Sequence, residues 1–259
     1  MKLKILLFLI WLALMACQQN KPDTAKDVNP PAAGFNLEGS DPQATQLADQ
    51  VMTAMGGRKA WDNTRYLQWN FFGARRHLWD KHTGWVRIDN QRNDLEIILN
   101  INREPLTGQV YKDGAVVTNQ DSVNYYLERG RRMWINDSYW LVMPFKLKDN
   151  GVTLEYVGTD TTISGDPAEV IRLTFEAVGV TPQNAYHVWI TPSDSLVKQW
   201  AYYADANDSA AVFARIWGDY RQIGNILLSG DRGNDRWLTE IEVLDEVPSN
   251  VFESFEVGF

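Results

Sequence analysis

Residues 186–228 read YHVWITPSDSLVKQWAYYADANDSAAVFARIWGDYRQIGNILL. Apolar and polar residues alternate through 186–190, again through 196–203, and again through 211–220. A period of two is what half-buried strands require, because successive side chains point to opposite faces. Thr191-Pro192-Ser193-Asp194-Ser195 separates the first two runs and Asp205-Ala206-Asn207-Asp208-Ser209 the next two. Proline presets one turn dihedral, and Ser, Asp and Asn bond to the local backbone. The stretch is therefore an antiparallel meander.

Upstream the same period recurs. Leu67, Trp69 and Phe71 alternate with Gln68 and Asn70; Leu78-Trp79 is followed by a turn at 80–84 and a strand at 85–89. Leu95, Ile97, Leu99 and Ile101 fall on one face, and Lys112-Asp113-Gly114 centres a hairpin over 109–119, since glycine accepts positive φ. Strands are also expected at 152–157, 169–178 and 237–244. Before them, Asp41-Pro42 opens a helix with Leu47, Ala48, Val51, Met52, Ala54 and Met55 on one face; Gly56-Gly57 stops it, and a short turn over 58–62 presents Trp61. Residues 122–145 interrupt the strands with aromatic residues at three- and four-residue spacing. With Gly130 and Pro144 as breakers, two short helices are expected there.

The fold class is thus mainly β, in the α+β sense: about eleven antiparallel strands, an N-terminal helix and a mid-chain helical insert. So many strands in one twisted sheet must curl or close. An incomplete barrel whose concave side is covered by the helices is the simplest arrangement, as one domain over residues 41–259.

The front of the chain reads differently. Lys2 and Lys4 precede an unbroken apolar run from Ile5 to Ala16, too short for a bilayer span of about 20 residues and suited to a secretory signal peptide over residues 1–16. Leu14-Met15-Ala16-Cys17 resembles the bacterial lipobox, which places cleavage between Ala16 and Cys17 and lipid attachment on Cys17; the alternative is an ordinary signal peptide with a chance cysteine. Cys17 is the only cysteine, so no intrachain disulfide can form. Residues 17–40, polar and rich in proline and glycine, read as a tether, with a structured arm around Phe35-Asn36-Leu37 as the alternative.

The 33 acidic residues outnumber the 25 basic ones, and loss of Lys2 and Lys4 takes the formal charge from −8 to about −10. That balance argues against nucleic acid and against electrostatic adhesion to anionic lipid. The membrane link expected is the acyl anchor, with a monomeric envelope protein facing the periplasm from the outer membrane; Gln18 after the cysteine points the same way. Three histidines, His77, His82 and His187, are too scattered for a metal set, and no metal or cofactor is expected. His77 and His82 read as solvated loop residues and His187 as a partly buried strand residue. Arg75-Arg76 and Arg129–Arg132 read as solvated patches, or as contacts for an anionic head group. No G-x-S-x-G or phosphate loop is present, and Glu240 and Glu242 read as a solvated strand face, so no catalytic residue is nominated.

The aromatic residues are the remaining candidates. Trp69, Phe71, Trp189, Trp200, Trp217 and Tyr220 lie on expected strands, and Trp134 and Trp140 on the insert. Each can be core, or a subset can line a pocket too large for its own side chains to fill.

Four segments resemble the LolA/LolB-like superfamily of outer-membrane lipoprotein-sorting carriers: the helix running into Met55-Gly56-Gly57 and a strand from Tyr66; Tyr186–Trp200; Trp217–Gly224 (WGDYRQIG); and Leu238–Phe252, with Val247-Pro248 before Phe252. Residues 143–151 (MPFKLKDNG) and 154–158 (LEYVG) look like a lipoprotein branch of that group. The resemblance implies an eleven-stranded half-barrel closed by helices over an apolar cavity that holds acyl chains. Three function classes follow: an anchored carrier or binding module for an apolar ligand, a glycan-binding envelope lipoprotein with outward aromatic platforms, and a structural lipoprotein with no small ligand.

Overall fold

The computed structural model describes residues 28–176 and 181–259. The expected signal peptide, its cleavage between Ala16 and Cys17, and the first part of the expected tether lie outside the described residues. Three helices, α1 (Pro42–Ala54), α2 (Gly57–Asn63) and α3 (Gln120–Val142), accompany fourteen strands among the described residues. In chain order these are β1 (Tyr66–Phe71), β2 (Arg75–Asp80), β3 (Trp85–Asn90), β4 (Leu95–Asn100), β5 (Thr107–Lys112), β6 (Ala115–Val116), β7 (Val152–Thr161), β8 (Pro167–Phe175), β9 (Ala185–Ile190), β10 (Val197–Tyr203), β11 (Phe213–Ile216), β12 (Gly218–Ile223), β13 (Ile226–Asp231) and β14 (Leu238–Leu244).

Every strand pairing is antiparallel. The strands form a seven-stranded sheet in the order β14-β1-β2-β3-β4-β5-β6, a five-stranded sheet in the order β11-β10-β9-β8-β7, and the hairpin β12-β13. The hairpin joins the two sheets: β11 passes through Trp217 into β12, and β13 lies beside β14. The result is a curved sheet that does not close into a barrel. The expected single run over 211–220 is thus two strands, because the chain leaves one sheet at Trp217 and enters the hairpin. Strands outnumber the expected eleven for the same reason, together with the two-residue β6.

Residues 120–142 form one helix, not two. Gly130 does not break it; a Cβ there would meet Ile97 Cγ2 at 3.0 Å and Cδ1 at 3.2 Å. The glycine lets α3 lie close on the concave face of β4, where Ile97, Leu99, Val86, Val110 and Leu127 form a small core. The helix stops where Met143–Lys146 tightens into a 3-10 turn carrying Pro144. A larger core joins α1 to both sheets through Ala44, Val51, Met52, Leu67, Leu154, Val188 and Leu228.

The segment before α1 is packed rather than loose from Asn29 onward. Asn29 is buried and its amide donates to Asp49 O and Thr53 Oγ1, while Phe35 joins the main core. Asn36 and Asp41 donate their backbone N–H groups to Val152 O and Leu154 O at 3.0 and 2.9 Å, and Leu154 and Tyr156 donate back to Ser40 Oγ and Asp41 Oδ2. This arm occupies the outer edge of β7, which would otherwise present unpaired backbone. Asp41, read as a helix cap, spends its carboxylate there instead.

At the other end of α1, Gly56 takes φ +113, and a Cβ would stand 2.5 Å from Asn225 O in the β12–β13 turn. Gly114, in the β5–β6 turn, has φ +83 with nothing within 4 Å. Gly56→Ala is therefore expected to lower stability by roughly 2–3 kcal/mol and Gly114→Ala by about 1 kcal/mol. Urea unfolding midpoints of the two variants check the order, and equal losses would contradict the close approach.

Candidate functional site

The C-terminal half of α3 does not lie flat on the sheet. Between it and the inner face of β8–β11 runs an open groove of about 550 Å³, within the range of about 300–1,000 Å³ usual for small-molecule sites. One wall is Trp134, Ile135, Ser138, Tyr139 and Trp140 from α3; the other is Phe175, Tyr186, Trp200, Tyr202 and Phe213 from four strands. Trp79 of β2 closes one end, and Arg132, Lys146, Asp149, Asn150 and Thr181 make a polar rim.

The strand wall exists because side chains of one parity face inward. Tyr186 and Val188 on β9 stand opposite Tyr202 and Trp200 on β10. A bulge between Val197 and Gln199 shifts the parity of β10, so that Val197 and Trp200 both reach the main core. The rings then support one another: Tyr186 stacks on Trp200 at 5.2 Å and 4°, and Trp140 meets Trp200 edge-on at 4.8 Å. Tyr139 lies 5.2 Å from Tyr186, and Tyr202 lies 5.3 Å from Phe213. Offset and edge-on pairs such as these hold rings in fixed positions. Burial pushes the Tyr186 hydroxyl up to about 12 and the Tyr139 hydroxyl well above its usual range, so both stay protonated.

Of the aromatic residues expected to line a cavity, Trp134, Trp140 and Trp200 line this groove. Trp69 and Phe71 are buried in the main core beneath α3. Trp217 is enclosed at the sheet junction, and Tyr220 bonds through its hydroxyl to Val197 O at 2.9 Å. Trp189 shares a face with His187, but that face is the outer one: it packs on Ala168, Val170 and Ala201 and donates to Asp160 Oδ2 at 3.0 Å. Tyr139, Tyr186, Tyr202, Phe175, Phe213 and Trp79 also line the groove, beyond the residues expected from the sequence. Spacing held a signal for two of them, since Tyr202 is two residues from Trp200 on one strand and Tyr186 two from Val188.

Two buried charge clusters fix the position of α3. Asp137 is fully buried on the helix, and its carboxylate accepts from Arg75 Nε at 2.6 Å, Arg75 Nη2 at 2.8 Å and His77 Nε2 at 2.8 Å. Trp69 stacks on the His77 ring at 4.6 Å. His77 and Arg75, read as solvated, instead hold the helix to β2. Removing one partner of such a cluster leaves an uncompensated buried charge, a cost of about 3–5 kcal/mol. Burial pushes Asp137 up, but the bonds from His77 and Arg75 outweigh it and hold the carboxyl below its usual range. Burial lowers His77 more than Asp137 raises it, so the imidazole is neutral near pH 7, with Nε2–H donating.

The second cluster is Arg232, fully buried at the end of α3. Its guanidinium donates to Trp140 O through Nε and Nη2, and to Ser229 Oγ and O, and it lies 3.6 Å over Trp217. Burial pulls it down to about 9, still charged at neutral pH, where a cation suits the carbonyl end of a helix.

Other candidates are scattered. His82 is exposed and His187 half-buried, with Tyr203 Oη 3.3 Å from its Nδ1. Glu240 and Glu242 are exposed. No group of three or more His, Cys, Asp or Glu poised for a metal occurs among the described residues, and no helix among them is long and apolar enough to cross a membrane.

No family model matches the chain, and no curated protein matches it. Solved structures do. The chain is similar to a DUF1329 family protein from Desulfovibrio piger (13% identity, TM-score 0.47, covering 83% of this chain and 98% of that one). It is also similar to a LolA superfamily protein from Nitrosomonas europaea (8%, TM-score 0.34, 83% and 99%) and to MucB (12%, TM-score 0.27, 83% and 63%). The open antiparallel sheet covered by helices is the coarse arrangement expected from the sequence. What the groove can hold is read from its own side chains.

Because the unfolded chain takes up a proton on His77 near pH 6.5 and the folded chain does not, stability is full above that pH and falls as pH drops below it. Asp89, pushed up to about 6 by burial, acts in the opposite direction as pH drops through that value. The difference between the native protein and His77→Asn isolates the histidine. Unfolding between pH 7.5 and 5 should show the native protein losing stability relative to the variant; a constant difference would contradict a neutral His77.

Proposed function

We propose that this chain is a lipid-anchored protein of the cell envelope that binds or carries an apolar or amphipathic molecule in the groove beneath α3. The observation that supports this most is the groove itself: aromatic side chains from α3 and five strands surround about 550 Å³ that they do not fill. Apolar surface of that kind gains roughly 25 cal/mol per Å² when a ligand covers it. A polar rim at one end and an apolar floor suit a molecule with a tail and a head. The ligand is a small molecule, bound by a monomer, and no bound cofactor or catalytic step is invoked.

The glycan-binding alternative needs an outward row of aromatic rings. Tyr125 and Trp237 are the exposed members of that class among the large exposed side chains, and they stand on α3 and beside β14, far apart in sequence and not in one row along a sheet face. A sheet packed solid, as a purely structural role would favour, does not fit the groove.

Anchoring rests on Cys17. Acyl chains contribute about 0.8 kcal/mol per buried CH₂, and more than one chain makes attachment stable. The arm from Asn29 onward, fixed along the edge of β7, then sets where the tether leaves the domain. We place the protein at the outer membrane, facing the periplasm.

Two measurements test this. Trp140→Ala should weaken binding of a fluorescent fatty-acyl probe about tenfold or more, whereas Trp189→Phe on the outer face should leave it unchanged; equal effects would contradict the site. Metabolic labelling with a palmitate analogue should mark the native protein and not Cys17→Ala; labelling of the variant would contradict the anchor.

A further inference from the structure

A second cleft lies toward the other end of the five-stranded sheet. It has a volume of about 330 Å³, sits between α1 and the turn after β9, and shares no lining residue with the groove. On β8, Glu169 in this cleft and Phe175 in the groove are six residues apart, about 20 Å along the strand. One wall is a row of carboxamides, Gln43, Gln46 and Gln50, whose spacing of three and four puts them with Leu47 on one face of α1. The facing wall is Ile190, Pro192 and Ser195, in a turn held by the Thr191 hydroxyl, which donates to Asp194 Oδ1 at 2.6 Å. Glu169 completes the lining, half-buried, and accepts the hydroxyl of Tyr156.

Glu169 is the one charged side chain of this lining, and among the described residues it forms no ion pair. The side chains of Gln46, Gln50 and Ser195 also make no hydrogen bond among the described residues, so their oxygens stay available. A phosphate or carboxylate placed here would meet a negative charge and no positive one. A wholly apolar molecule would strip water from the amides and the carboxylate without replacing it. An ammonium group carries three N–H donors and no acceptor, and the cleft offers a carboxylate, amide oxygens and a hydroxyl to receive them. Hydrogen bonds between charged partners are about twice as strong as neutral ones.

We infer that this cleft binds a small molecule bearing a primary ammonium group on a short alkyl chain. Glu169 meets the charge, the carboxamide oxygens of α1 and the Ser195 hydroxyl accept the remaining N–H groups, and Leu47, Ile190 and Pro192 cover the methylenes. Tyr156 is a positioning residue that holds the Glu169 carboxylate in place. The site is separate from the groove and does not depend on what the groove holds.

The test is a pair of probes of one length that differ in their end groups, 1,4-diaminobutane and 1,4-butanediol, titrated by ligand-observed NMR into the purified protein at low ionic strength. The diamine should bind saturably and about tenfold or more tightly than the diol. Glu169→Gln keeps an acceptor for Tyr156; it should weaken the diamine about tenfold or more with the thermal midpoint little changed. Gln50→Ala, exposed on α1, should weaken it about threefold, whereas Glu242→Gln, on the exposed face of β14, should leave it unchanged. Absence of saturable diamine binding or equal affinity for the two probes overturns the inference. So does native affinity in Glu169→Gln, or an equal loss in Glu242→Gln, which would mark general attraction to an acidic protein.

Discussion

Asp137, fully buried and held by Arg75 and His77, is the interaction on which the arrangement depends. An open sheet of this size exposes a long concave face, and something must cover it. The N-terminal half of α3 does so by direct apolar contact, with Gly130 allowing the close approach. The C-terminal half packs Leu141 and Val142 into the main core and turns Trp134, Ile135 and Tyr139 toward the groove. A carboxylate beneath the helix, paired with two cationic or donating side chains of β2, fixes its height and rotation. Arg232 then holds the last turn from the other side through Trp140 O. Between those two polar fastenings one side of the helix borders the groove.

That division explains why one helix serves two purposes. Apolar packing is undirected and tends to eliminate voids, whereas charged hydrogen bonds fix a geometry without requiring every gap to be filled. The aromatic walls are then positioned by ring contacts across the gap, such as Trp140 on Trp200 and Tyr139 on Tyr186. The arm along β7 and the C-terminal residues complete the outside. Arg87, on the convex face, bonds to Glu96 and to the carbonyls of Val251, Ser254 and Val257, so the segment after β14 covers that face of the seven-stranded sheet.

Much of this was legible in the sequence because strands write their faces in alternation. Leu67, Trp69 and Phe71 point inward as their spacing requires, and the Lys112-Asp113-Gly114 turn has both Asp113 and Gly114 at positive φ. Alternation does not say which face is inside, however, and Trp189 went to the outer face as a result. The bulge in β10 adds a shift that a strict period cannot show. Gly130 sits inside a helix because local propensity, which disfavours it there, yields to the close approach of Ile97, which leaves little room for a Cβ. The Asp137 cluster joins residues about 60 positions apart, and the groove draws on α3 and six strands. No local pattern encodes either.

In the proposed function the space beneath α3 is occupied in the working protein. Native mass spectrometry of the purified protein, with and without prior incubation with envelope lipids, tests it most directly. A one-to-one complex with a lipid-sized organic molecule, displaced by a fluorescent fatty-acyl probe, is the predicted result. The bare chain mass under both conditions would contradict it.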